Sequence, residues 1–221
     1  MGLTSSVTSE RRSALQGLCL ITDRKTSGMA AEEAVTLALE AGVQWVQYRE
    51  KDKTRGEIYA EALKLRNVTR HFGALFVVND HADIALAVDA DGVHLGQDDL
   101  PLRDARKIMG EKIVGVSTHS PQEAADAGAG GADYIGFGPV FPTVTKKAGV
   151  PKGVEMLRQV KRQVAIPVVA IGGISVENLA AALEAGADAV AVAGAILRGN
   201  ISENVRSFMH VLGRERYGRG T

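Results

Sequence analysis

At 221 residues, 45% of them hydrophobic, the chain is long enough to bury one sizeable core and short for two full domains. Its 26 lysines and arginines balance 26 aspartates and glutamates, so the basic field that sequence-independent nucleic-acid binding needs is missing. No apolar run approaches the roughly 18 residues of a membrane span, and "MGLTSSVTSERRSALQ" lacks the apolar segment of a secretory signal; the expectation is a soluble, cytoplasmic protein that engages neither nucleic acid nor membrane.

The polar start reads as a flexible tail over residues 1–14, and "GRERYGRGT" reads as a second tail over 214–221, leaving 15–213 as the folded domain. Short β-rich runs then recur: "LCLIT", "VQWVQY", "ALFVVN", "DGVHL", "KIVGV", "DYIGFG", "PVVAI" and "DAVAVA", nearly all separated by segments with helical apolar spacing. Cys19, inside the first run, is the only cysteine; it can close no intramolecular disulfide and reads as a small core hydrophobe. Four junctions look alike, "LEAGVQWVQ", "VDADGVHLG", "AGGADYIGF" and "LEAGADAVAV", each placing a glycine or a small acidic turn between a helix end and a strand. Alternating strands and helices with short connections require a parallel sheet. Eight such units in this length predict an α/β protein of one closed (β/α)8 TIM barrel rather than an open doubly wound sheet, whose GxGxxG fingerprint is absent.

In such a barrel, chemistry sits at the C-terminal ends of the strands. After strand 2 comes "QYREK", in which Gln47, Arg49 and Lys51 alternate with Tyr48 and Glu50 and project from one side of an extended chain. A solvated strand end would explain it; so would a cationic cup for an anion, because arginine and lysine give charge-assisted donors to phosphate. After strand 3 lies "NDH" (Asn79, Asp80, His81) and after strand 4 "GQDD". Taken singly these read as caps of the next helices, with Pro101 at a first helical position. Taken together, Asp80 and one of Asp98 or Asp99 meet across the mouth, and two carboxylates beside a cationic cup suit Mg²⁺ shared with phosphate oxygens. Strand 5 ends with Ser117 and His119, and the loop after strand 6 carries Thr143, Val144, Thr145, Lys146 and Lys147. "IGGI" and "VAGAI" end strands 7 and 8, where glycines let backbone N–H groups approach a phosphate, or where small residues simply pack at a crowded rim. His94 and His119 read as rim or core residues rather than acid–base groups.

These motifs in this order, from "LCLITD" to "AGAIL", resemble the thiamine-phosphate synthase family. The resemblance implies a TIM-barrel transferase of thiamine biosynthesis. Its substrates are 4-amino-2-methyl-5-pyrimidinylmethyl diphosphate and a methylthiazole phosphate or its carboxylated form. Its products are thiamine phosphate and diphosphate, and its cofactor is Mg²⁺. It implies that Gln47, Arg49 and Lys51 hold the diphosphate with Asn79 and Lys146, within a substrate-binding stretch that also takes in Tyr48 and Glu50. Asp80 and Asp99 match the metal ligands, and Ser117 the pyrimidine site. Thr143, Val144 and Thr145, with Gly173, Ala193 and Gly194, match the thiazole-phosphate site. Catalysis is assigned to Arg49, Lys51, Ser117 and Lys146. The family usually has serine where this chain has Gly194, so a hydroxyl donor is missing there. Related thiazole tautomerases share the barrel but generally lack the acidic pair and the complete cup. That isomerase, or a non-catalytic phosphate binder, is the alternative. A homo-oligomer is compatible with all of these.

Overall fold

The computed structural model describes residues 15–143 and 149–218. The segment 1–14, read from sequence as a tail, lies outside them, and so do Val144, Thr145 and Lys146. Eight strands are described: β1 (Gly17–Ile21), β2 (Trp45–Tyr48), β3 (Leu75–Asn79), β4 (Gly92–Leu95), β5 (Ile113–Thr118), β6 (Tyr134–Phe137), β7 (Val168–Ile171) and β8 (Ala189–Val192). Each pairs in parallel with the next, and β1 closes on β8 through Gly17↔Ala189 to Leu20↔Val192, giving the (β/α)8 barrel expected from sequence. The runs are largely apolar because these strands are buried on both faces, with polar residues such as Gln47, Asn79, His94 and Ser117 toward their C-terminal ends.

Ten helices are described: α1 (Arg24–Ser27), α2 (Ala31–Glu40), α3 (Arg55–His71), α4 (Ala82–Ala87), α5 (Leu102–Met109), α6 (Pro121–Ala129), α7 (Gly153–Gln163), α8 (Leu179–Glu184), α9 (Gly194–Leu197) and α10 (Ile201–Gly218). Apolar faces of the ring helices pack on the outer surface of the strands as one large core. A second, smaller core fills the barrel interior with Leu15, Cys19, Ile21, Trp45, Val77, Ile113, Tyr134, Val169, Ala189 and Ala191. Trp45 and Tyr134 meet edge to face there at 5.1 Å between ring centroids. Cys19 is buried as expected, and burial pushes its thiol well up, which makes it inert. The closing helix α10 continues through residues 214–218, where sequence suggested a tail; Val205, Phe208 and Leu212 anchor it.

The four similar junctions turn out to be one device, used before every even strand. A residue at positive φ reverses the chain: Gly42 (φ 114°), Asp89 (53°), Gly131 (88°) and Gly186 (101°). A small buried residue follows, Val43, Ala90, Ala132 or Ala187. Then, before β4, β6 and β8, comes an aspartate that accepts a backbone N–H from the preceding strand: Asp91 from Phe76 (2.8 Å), Asp133 from Val114 (2.8 Å) and Asp188 from Val168 (2.7 Å). Each is also paired with a cation on a ring helix, Arg66 of α3, Arg106 of α5 or Lys161 of α7. Before β2 the corresponding residue is Gln44, so the clamp occurs three times in four. These clamps sit at the N-terminal ends of the strands, away from the loops that carry chemistry. Asp133→Ala strands the Val114 N–H and takes from Arg106 its carboxylate, leaving it only backbone carbonyls, so it is expected to cost about 1–3 kcal/mol. The check is a lower urea midpoint with unchanged turnover per folded molecule.

Candidate active site

At the opposite end, β2 delivers its residues alternately. Gln47, 5% exposed, faces the mouth and its amide donates to Asn79 Oδ1 at 2.8 Å. Tyr48 faces the other way: it is 2% exposed and its hydroxyl donates to Glu61 on α3 at 2.6 Å. Glu50 also turns outward, accepting the backbone N–H groups of Lys51 and Asp52 at 2.8 and 2.9 Å. Of the five residues Gln47–Lys51, then, Gln47 and Lys51 contact Asn79 and Asp80, Arg49 is exposed, and Tyr48 and Glu50 fasten the stretch to its surroundings. Tyr48, Lys53 and Glu61 form one anchoring group, with Lys53 Nζ 2.7 Å from Glu61. Just beyond, Thr54 and Glu57 make a capping box that starts α3. One residue missed by the sequence reading is Thr22 at the end of β1. Its buried hydroxyl donates to Arg49 O (3.1 Å) and accepts Arg49 N–H (2.9 Å), fixing the backbone that presents the guanidinium.

Asn79 passes the contact on, its amide donating to Asp80 Oδ1 at 2.5 Å, and Lys51 Nζ pairs with Asp80 Oδ2. Asp80 adopts φ 66°, an uncommon conformation for a residue with a Cβ, and its N–H is held by His94 O at 2.8 Å. The alternative reading of "NDH" as a helix cap does not hold: the residue before α4 is His81, and no side chain caps that helix. Nor does a side chain cap α5, which begins at Leu102 with Pro101 just before it.

Of the two candidates in "GQDD", Asp99 turns inward. Its Oδ2 accepts Gly96 N–H at 2.6 Å, whereas Asp98 is exposed. Asp99 also meets Asp80. Burial first, and then the Asp80 carboxylate, hold the Asp99 carboxyl above its usual range, while the Gly96 N–H and Lys51 pull against that shift. Two carboxylates in contact with one lysine form a donor set that a hard cation fits, with remaining positions left for water or phosphate oxygens. Among the described residues no cluster of three or more His, Cys, Asp or Glu side chains could hold a metal alone.

Ser117 near the end of β5 is half-buried, and His94 from β4 lies behind it, Nε2 to Oγ 2.8 Å. His94 is 6% exposed and bonded on both ring nitrogens, which bears out its reading as a satisfied residue; burial pushes its pKa down to about 4. His119 is exposed, 3.1 Å from Glu123. On the far side, the two ends of the β6 loop are tied to β7 and to each other. Val140 N–H donates to Ile171 O (2.8 Å), Phe141 N–H to Gly172 O (3.0 Å) and Lys152 N–H to Pro139 O (2.7 Å). A Cβ at Gly173 (φ 67°) would lie 2.3 Å from Pro142 O, so tight packing alone demands glycine here. That packing leaves the Gly173 N–H with no described acceptor. Gly194 opens α9, where the helix itself cannot satisfy the N–H. The Arg198 guanidinium lies beside Gly194, 3.4 Å from the position a Cβ would take, which is ordinary contact distance.

A sequence model of the family described as thiamine monophosphate synthase matches residues 18–196. The chain belongs to this family. It is 47% identical over 182 residues to a thiamine-phosphate synthase of Chloroflexus aurantiacus, covering 81% of this chain and 84% of that one. It is 46% identical over 191 residues to that of Pelotomaculum thermopropionicum, covering 85% and 88%. The solved structure of thiamine phosphate pyrophosphorylase from Pyrococcus furiosus superposes with a TM-score of 0.85 at 40% identity, covering 91% of this chain and 97% of that one. No helix among the described residues is long and apolar enough to cross a membrane.

The contact between Asp80 and Asp99 makes a prediction with a definite sign. Because the folded state raises the Asp99 pKa, the stability linked to its proton is present below the ordinary aspartate range and is lost as pH rises through the raised value. Asp99→Asn in metal-free protein is therefore expected to raise the melting temperature at pH 7, by on the order of a few °C. The gain shrinks as the pH is lowered toward 4 and Asp99 takes up its proton. A calorimetric scan at the two pH values checks it.

Proposed function

We propose that this chain makes thiamine phosphate, joining 4-amino-2-methyl-5-pyrimidinylmethyl diphosphate to a methylthiazole phosphate and releasing diphosphate with Mg²⁺. One observation carries the reading: Lys51 and Gln47 of the cationic cup and the Asp80–Asp99 pair form a single hydrogen-bonded group at one end of the barrel. An isomerase of the thiazole phosphate would need neither the acidic pair nor the cup.

In this reading Arg49 and Lys51 bind the diphosphate, helped by Gln47, Asn79 and Lys146. Asp80 and Asp99 hold Mg²⁺, which when bound neutralises negative charge on the diphosphate. Thr143, Val144 and Thr145, with Gly173, Ala193 and Gly194, take the thiazole phosphate, and Ser117 faces the pyrimidine. Ser117 has His94 Nε2 2.8 Å away, but burial pushes the His94 pKa down to about 4 and makes the ring a weak base, which favours direct substitution over a covalent intermediate. The bond from the pyrimidine methylene to the diphosphate oxygen breaks first, and its electron pair leaves with the diphosphate. The electron-rich aminopyrimidine stabilises the resulting cation until the thiazole nitrogen attacks. Arg49 and Lys51 contribute by holding charge that is larger in the transition state than in the bound substrate. Lys51 changes partner on binding, from Asp80 to phosphate oxygen.

Diphosphate release by the purified protein is expected only with both substrates and Mg²⁺, and a chelator abolishes it. Lys51→Ala and Arg49→Ala are each expected to lower kcat on the order of 10²-fold. Near-normal turnover by both variants would remove the cup from the reaction. Release with neither metal nor thiazole phosphate present would do the same for the two-substrate scheme.

A further inference from the structure

Behind Ser117 lies a buried polar row that crosses three neighbouring strands: Tyr134 of β6, His94 of β4 and Ser117 of β5. His94 Nδ1 is 2.9 Å from the Tyr134 hydroxyl and Nε2 is 2.8 Å from Ser117 Oγ. Tyr134 is 1% exposed and His94 6%. The backbone is cut away to admit both rings. A Cβ at Gly115 would lie 2.1 Å from the Tyr134 ring, and one at Gly136 would lie 3.2 Å from His94 Cε1.

Counting hydrogens fixes their order along the row. The described residues offer the Tyr134 hydroxyl one partner, His94 Nδ1. If Nδ1 carried the proton, it would donate to the tyrosine oxygen and the phenolic hydrogen would be buried without an acceptor, which native interiors rarely tolerate. A doubly protonated ring leaves the same orphan and adds a buried charge. Only one order satisfies every group: Tyr134 O–H donates to Nδ1, and Nε2–H donates to Ser117 Oγ. Ser117 then accepts from behind, and its own hydrogen remains to be given.

We propose that Tyr134 and His94 are positioning residues that fix Ser117 as a hydrogen-bond donor to the substrate, selecting a ligand that presents an aromatic ring nitrogen as acceptor at that point. Arg49 and Lys51 follow the end of β2, three strands away, so the position beside Ser117 belongs to the uncharged end of the ligand rather than to its diphosphate. The identity of that ligand rests on the synthase reading, in which the aminopyrimidine carries two ring nitrogens as acceptors and an amino group as donor.

The first test needs no ligand. Long-range ¹H–¹⁵N correlation on metal-free protein with labelled histidine is expected to show His94 protonated at Nε2 and bare at Nδ1, and the Nδ1–H form would overturn the proposal. The second is calorimetric titration with the pyrimidine diphosphate and two analogues, each with one ring nitrogen replaced by C–H. Wild type is expected to bind one analogue about 2- to 10-fold more weakly than the parent, while Ser117→Ala binds those two alike. Equal discrimination by wild type and Ser117→Ala would overturn the donor role. Wild type that ignores the parent diphosphate yet shows the Nε2–H form would overturn the substrate reading and keep the donor order.

Discussion

Closure of the strand ladder between β1 and β8 is the constraint on which everything else here rests. In an open sheet, residues from β2, β3, β4 and β5 would lie along a line. Bent into a cylinder, the same strands bring Gln47, Asn79, Asp80, Asp99 and Ser117 around a common mouth. The closure is reinforced from below by aspartates that bind the preceding strand and a ring helix together before β4, β6 and β8. The two ends of the barrel therefore divide the work. At the N-terminal end three aspartates each pair with a cation and accept a backbone N–H, and at the C-terminal end two carboxylates are left facing each other.

That conflict is local and has a direction. Asp80 is held at positive φ and Asp99 carries a carboxyl raised by burial and by its neighbour, with the half-exposed Lys51 as the available counter-charge. A stable arrangement for the empty protein would replace one acid by an amide. Keeping both makes sense where a dication and a polyphosphate arrive together, because each then removes a repulsion that folding left behind. The hydrogen bonds from Gln47 through Asn79 to Asp80 hold the acids in place, so the binding energy need not be spent on arranging them.

Much of the fold was open to reading from sequence because βα repetition is written in hydrophobic runs, and a run buried on both faces tolerates few other patterns. Alternation along Gln47–Lys51 set Gln47 and Lys51, which contact Asn79 and Asp80, apart from Tyr48, since a two-residue period is a geometric necessity. Tyr48, carried along with the motif, turned out to face α3 for the same reason, while Glu50 bonds the backbone N–H groups of Lys51 and Asp52. Beyond the meeting of Asp80 with one acid of "GQDD", what sequence could not show was which residues meet between strands. Thr22 fixes Arg49 over 27 positions, and His94 reaches Ser117 over 23 and Tyr134 over 40. Asp98 and Asp99 are chemically equal as letters; only the turn that offers Asp99 the Gly96 N–H distinguishes them. The shared aspartate of the junctions was visible as a letter too, but its meaning lies in a bond to another strand.

The two substrate halves of the mouth are built differently, and this bears on how the second reactant is positioned. From β2 to β5, side chains bond to side chains, so geometry there is set before any ligand arrives. From β6 to β8, the described contacts run mainly through the backbone: the neck of the β6 loop is stitched to the end of β7, glycines at 172 and 173 let it approach, and the Asn178 amide holds Gly173 O. A site of that second kind recognises an anion by N–H groups whose direction follows the chain rather than a rotamer. The Arg198 guanidinium lies at contact distance from the Cβ position of Gly194, beside that backbone. Specificity for the aromatic, uncharged part of a ligand has to come from the rigid half, where Ser117 is held by a row of buried hydrogen bonds.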